Sequence, residues 1–231
     1  MILMFCGTLF RIFVKPSSVE TMKDLKPHYR RRLPHYQPKD SILFATFRLA
    51  NSLPKEIIAQ LHQEREEREK AINKESNIEK RLSLIVEEQK RYFGHFDSYL
   101  DRISTEIRWL ENVHIAKLVY DAILFYNTIE YNVIAFCIMP NHVHLMADMT
   151  RKNIPLHSIL KRIKTFTALK ANSILNCSGQ FWHNENYDHV VRDGNELRRI
   201  VTYILENSVK AGLCKRWEDW KWTYIDMKYL E

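Results

Sequence analysis

The sequence predicts an α+β fold: one antiparallel sheet with helices packed on one face, in a ferredoxin-like (RRM-like) order. Three observations predict it. YNVIAFCIMP (131–140) is an apolar, β-rich run, and it meets HVHLMADM (142–149) across a Pro-Asn turn, as an antiparallel hairpin does. Two segments repeat apolar residues at helical spacing: Ile115, Leu118, Val119, Ala122, Ile123 and Tyr126 in the first, and Leu156, Ile159, Leu160, Ile163 and Phe166 in the second. The coarse order is strand, helix, strand, strand, helix, strand, helix, which builds one sheet and buries it under its crossovers.

Residues 1–14, MILMFCGTLFRIFV, are apolar, but Arg11 interrupts them and no basic segment precedes them. They are too short to span a bilayer and lack the plan of a signal peptide. Met22 opens a more ordinary N-terminus, so residues 1–22 are expected to be peripheral. Residues 23–40 are basic, Pro-rich and interleaved with aromatics, an extended arm. SILFATFRL (41–49) is the first strand. Ser52 and Pro54 open a helix.

Residues 62–92 are dominated by Glu, Lys and Arg of mixed sign. They read as a solvated helix laced with i,i+4 pairs, the centre of a charged helical insertion over about 57–110. QFWHNENYDHVVRD (180–193) holds another strand. Asp193 or Asn195 caps a third helix carrying ELRRIVTYILEN (196–207). The main domain is expected over 41–208, and a basic, Trp-rich tail over 209–231.

Composition narrows the class. The chain has 231 residues, 45% hydrophobic and 27% charged, with only five Gly and seven Pro, which suits a globular chain with a real core. Its net charge of +7 points toward a polyanionic partner. Cys6, Cys137, Cys177 and Cys214 are scattered with no CxxC spacing, so neither a zinc knot nor a disulfide framework is expected, and the compartment reads as reducing and cytoplasmic. No Gly-rich phosphate loop is present.

His142 and His144 stand at i and i+2. On a strand both imidazoles point the same way, with Cα atoms roughly 6.5–7 Å apart, close enough for two ring nitrogens to converge on one ion. Val143 and Leu145 point to the opposite face. An HxH pair alone also occurs on strands by accident. Tyr203 and Asn207 lie one turn apart at the border of an apolar stripe made by Leu197, Ile200, Val201, Ile204 and Leu205. That edge of the helix can lie against the histidine-bearing surface. A neutral amide completing a two-His site leaves a metal Lewis-acidic, and such a metal supplies much of what a phenol of pKa near ~10 lacks as a nucleophile. Tyr203 also reads simply as a half-buried anchor of its helix. Asp148, His189 and Tyr187 are weaker candidates, and His157 and His183 read as solvated.

IMPNHVHLM, LKRIKTFTALKAN, FWHNENYDHVVRD, YILENSVKAGL and WEDWKW, with RRRLPHYQP and FATFRLANSLP before them, resemble the REP-associated tyrosine transposases in order and over most of the chain. These are a branch of the HUH single-stranded DNA endonucleases. The resemblance implies the HUH endonuclease fold, with His142 and His144 as the metal pair, Asn207 at the third metal-side position and Tyr203 as the nucleophile that joins a 5′ phosphate. It implies a divalent cofactor, Mg²⁺ or Mn²⁺. The implied partner is single-stranded DNA carrying a hairpin, as in repeated extragenic palindromes, with no membrane and with the chain a monomer or homodimer. Ser208 replaces the proline of the usual NPVKAGL.

Independently of the family, Arg30, Arg31 and Arg32 are placed to meet phosphates or a hairpin groove. Lys161, Arg162 and Lys164 put charge on the second helix. Trp217, Trp220 and Trp222 either stack on unpaired bases or pack the tail on the core. A hairpin-binding protein with an idle catalytic set is the alternative reading.

Overall fold

The computed structural model describes residues 28–30, 34–102 and 107–230, with backbone alone for 28–30 and 34–36. Arg31 and Arg32 lie outside the described residues, as do residues 1–22. Within the basic arm, β1 (His28–Arg30) and β2 (Pro34–Tyr36) pair antiparallel as a small hairpin.

The main sheet has five antiparallel strands: β3 (Ile42–Leu49), β4 (Asn132–Ile138), β5 (His142–Asp148), β6 (Trp182–Val191) and β7 (Thr223–Ile225). Their order is β6-β3-β5-β4-β7. Without the edge strand β7 this is the ferredoxin-like arrangement, in which each crossover helix joins strands that are not immediate neighbours. Those helices are α3 (Val113–Phe125) and α4 (Leu156–Ile174). Asn112 caps α3 by accepting from the backbone N–H groups of His114 and Ile115, and Asp193 caps α5 (Gly194–Lys210) by accepting from Glu196 N.

The pleat sorts side chains into two layers. Leu43, Ala45 and Phe47 of β3 and Val143, Leu145 and Ala147 of β5 join Ile115, Val119, Ile159 and Ile163 in the larger core, under α3 and α4. Phe44, Cys137 and Met146 face the other way and meet Val201, Ile204 and Leu205 of α5. The crossover helices therefore share one face, and α5 lies against the surface that carries His142 and His144.

The charged insertion is a helical hairpin, α1 (Lys55–Ile72) and α2 (Ile78–Arg102), breaking where a single long helix was expected. α1 carries the predicted i,i+4 ladder, Gln60 to Glu64, Gln63 to Glu67 and Arg65 to Glu69. α2 is amphipathic and buries Tyr92, Asp97 and Leu100. Among the described residues no helix is long and apolar enough to cross a membrane.

The tail packs on the domain. Trp222 is buried in the larger core at 7% exposure. The Trp220 indole donates to Ile138 O at 3.0 Å, and Trp217 packs on the α5 layer. These contacts form because the tail returns to add β7 to the edge of β4. Trp222 would have to leave the core to stack on a base.

Leu145 lies on β5 between two histidine-face residues and is fully buried in the other layer. Leu145→Ala is expected to destabilise the fold by about 2–5 kcal/mol, measured by urea unfolding.

Candidate active site

β5 enters the site through a tight turn, in which Met139 N donates to His142 O at 2.8 Å. The turn residue Asn141 fixes the first imidazole. Its Nδ2 donates to Leu100 O at 3.0 Å, which turns Oδ1 toward His142 Nδ1 at 2.6 Å. His142 therefore carries its proton on Nδ1 and presents a bare Nε2.

His144 Nε2 stands 2.9 Å from that nitrogen, and its Nδ1 lies 2.9 Å from Thr46 Oγ1 on the neighbouring strand. A hydroxyl both donates and accepts. His144 can thus donate Nε2–H to His142, or hold its proton toward Thr46 and leave both Nε2 lone pairs facing one point. Burial pulls His142 down to about 3 and His144 well below the usual imidazole range, the latter helped by His142 and Lys210. Both rings are neutral at pH 7, the form that ligates metal.

A third residue arrives from the insertion. Asp97 on α2 is 4% exposed, and its Oδ1 lies 3.4 Å from His144 Nε2. With the imidazole neutral, that approach is no ion pair. Asp97, His142 and His144 each offer a ligand atom, and the three atoms lie within 4.8 Å of one another. Asp101, one turn on, has Oδ1 at 3.9 Å from His142 Nε2. Burial pushes the Asp97 carboxyl well above the usual carboxylate range, reinforced by Asp101 and opposed by Lys210. It pushes Asp101 up to about 6.

The Tyr203 hydroxyl donates to Asp97 Oδ2, and its ring lies 5.3 Å from that of His144. The Lys210 ammonium sits 5.0 Å over the same ring. Asn207, one turn further along α5, is buried at 1%, and neither of its side-chain amide atoms has a partner. Asp97 Oδ1 and Asp101 Oδ1 are likewise buried and unpartnered. Buried polar atoms without partners cost about 1–3 kcal/mol each. Two carboxylate oxygens left in that condition near two neutral imidazoles, with an unpartnered amide buried on α5, form a donor set that fits a divalent cation.

The predicted His142, His144 and Tyr203 are thus brought together, with Asn207 buried on the same helix. Other candidates are not in the cluster. Asp148 accepts from Thr150 N at the far end of β5. His189 is held by Glu196 at 3.2 Å, and Tyr187 stacks on Phe93. His157 is not solvated as expected but half-buried against Gln37. His183 is also half-buried, and burial pulls it down to about 4.

Lys161, Arg162 and Lys164 lie on α4, behind the sheet from the site. Arg162 forks onto Glu130 and covers Tyr126, while Lys164 donates to His183 O and Asn186 Oδ1. Those two charges are engaged within the fold. Sequence reading missed Asp97 and Asp101. The available signal was that Phe93, Phe96, Asp97, Leu100 and Asp101 follow i, i+3, i+4, i+7, i+8, so both acids occupy the apolar stripe.

A cation binding only the folded chain stabilises it, by about 2.7 kcal/mol at one hundred times Kd. Mn²⁺ is expected to raise the melting temperature of the wild type and to leave that of His142→Ala/His144→Ala unchanged. Asp97→Asn is expected to lower Mn²⁺ affinity at least about tenfold, read by calorimetry.

Residues 110–207 match the family model of IS200-like transposases. A REP-associated tyrosine transposase of Haemophilus influenzae is 24% identical over 102 residues, a match that takes 40% of this chain and 58% of the relative's length. A solved REP-associated tyrosine transposase bound to a REP hairpin overlaps 84% of this chain and 80% of its own, at 16% identity and a TM-score of 0.49. The matched segment, residues 110–207, contains both histidines, Tyr203 and Asn207.

Proposed function

We propose that this protein cuts and rejoins single-stranded DNA carrying a hairpin, with Tyr203 as the nucleophile. The observation that carries the reading is the shared carboxylate: Asp97 takes the Tyr203 hydroxyl on one oxygen and turns the other toward His144. The nucleophile and the cation ligands are thereby one connected cluster. The match of residues 110–207 to IS200-like transposases supports the same chemistry.

His142, His144 and Asp97 would hold a divalent ion, Mg²⁺ or Mn²⁺, with Asn207 as a neutral fourth donor. When bound, the ion withdraws charge from the non-bridging oxygens of the scissile phosphate. The remaining work falls to side chains. Asp97 orients the Tyr203 hydroxyl and is the acceptor within reach of its proton. The Tyr203 oxygen attacks phosphorus, the O–P bond forms, and the bond to the 3′ oxygen breaks. The products are a 5′-phosphotyrosine and a 3′ alkoxide, which takes a proton from water to give 3′-OH. The Lys210 ammonium over the phenol ring favours the negative charge that develops on Oη. Rejoining is the reverse attack by a 3′-OH, and the ester conserves the bond energy, so no nucleotide triphosphate is needed.

The test is a denaturing gel of the chain with Mg²⁺ or Mn²⁺ and labelled hairpin DNA from the region flanking its own gene. The wild type is expected to give a slow protein–DNA band only with metal. Tyr203→Phe is expected to abolish that band while leaving DNA affinity within about tenfold, the scale of one hydrogen bond. A band that persists in Tyr203→Phe would move the nucleophile elsewhere.

A further inference from the structure

Two residues from Thr46 on the same face of β3 stands Arg48, paired in register with His142. It is 3% exposed, a burial that arginine tolerates when a carboxylate or phosphate answers its charge. Here its contacts are few. Nη1 donates to Leu49 O and Ser52 Oγ, both at 3.2 Å, and the guanidinium lies 5.7 Å from the Phe96 ring. Among the described residues no carboxylate forms an ion pair with it. Glu185 lines the same cavity, and its charge acts on Arg48 only at longer range.

The cavity lies between the insertion and the sheet edge. Leu61 comes from α1, Tyr92 and Phe96 from α2, and His183 and Tyr187 from β6, with Thr46 and Arg48 as the floor. Burial pulls the guanidinium down to about 10, so it remains charged at pH 7. A guanidinium has five donors in a planar fork. Two hydrogen bonds are met by the protein, and among the described residues no carboxylate forms an ion pair with it. Thr46 joins this cavity directly to His144.

We propose that Arg48 binds a backbone phosphate of the substrate strand beside the scissile one. The proposal rests on the DNA-cleaving reading and adds to it a second phosphate site. It makes Arg48 a binding residue and leaves bond breaking to Tyr203.

The experiment uses the full chain and the same hairpin oligonucleotide with single-stranded arms, prepared as a series in which one phosphate at a time is a neutral methylphosphonate. Binding is read by fluorescence anisotropy, and folding by melting temperature. In the wild type, one position next to the cut bond is expected to lose about tenfold in affinity, the scale of a charge-assisted hydrogen bond. Arg48→Gln is expected to bind the unmodified strand about tenfold more weakly, to be indifferent to methylphosphonate at that position, and to show a salt slope smaller by about 0.7. If Arg48→Gln does not fold, Arg48→Lys, which keeps the charge and loses the fork, is expected to show reduced sensitivity at that same position.

A folded Arg48 variant that retains the wild-type sensitivity at every position would overturn the proposal. So would a flat wild-type scan on a strand that still forms the Tyr203 adduct, and that outcome would leave the cleavage reading standing. A chain that neither binds nor cuts the hairpin would remove both.

Discussion

Side chains on a strand alternate, and in β5 that alternation serves two buried layers at once. Val143, Leu145 and Ala147 are committed to the core under α3 and α4, while His142, His144 and Met146 face α5 and α2. A slip of one residue would put imidazoles into hydrocarbon and aliphatic side chains into the site. The register with β3 prevents that slip and at the same time delivers Thr46 to His144 and Arg48 to the position beside His142. The pairing that holds the sheet together also sets the geometry of the site.

The insertion completes what the sheet begins. Strands fix two imidazoles rigidly but leave them open on one side, and α5 covers part of that side with Tyr203 and Asn207. α2 closes the rest with an acidic pair on its apolar stripe, and Asn141 ties α2 to the histidine turn through Leu100 O. A helix hairpin whose outer surface is a ladder of charge pairs thus has an inner surface that belongs to the site.

How much of this was legible follows from how local each signal is. Period-2 and period-3.6 patterns placed β3, β4, β5, α3 and α4 within a few residues, because burial dictates those patterns segment by segment. His142, His144, Tyr203 and Asn207 were legible for the same reason, as short spacings on single elements. Asp97 was not, since its meaning lies in contacts with residues 47 to 106 positions away, and a helix rich in Glu, Lys and Arg gives no reason to single out one acid. The tryptophans show the opposite limit. Aromatics among basic residues suit base stacking and edge packing equally, and only the return of the tail as β7 reveals that Trp222 is buried.

Closure over the histidines also has a kinetic side. His142 and His144 are exposed by no more than 1%, and α2 forms the lid over them. Because Asp97 belongs to that helix, an ion held by His142, His144 and Asp97 would tie α2 to β5. Releasing the ion and opening α2 would then be one event, since the lid carries one of the ligands.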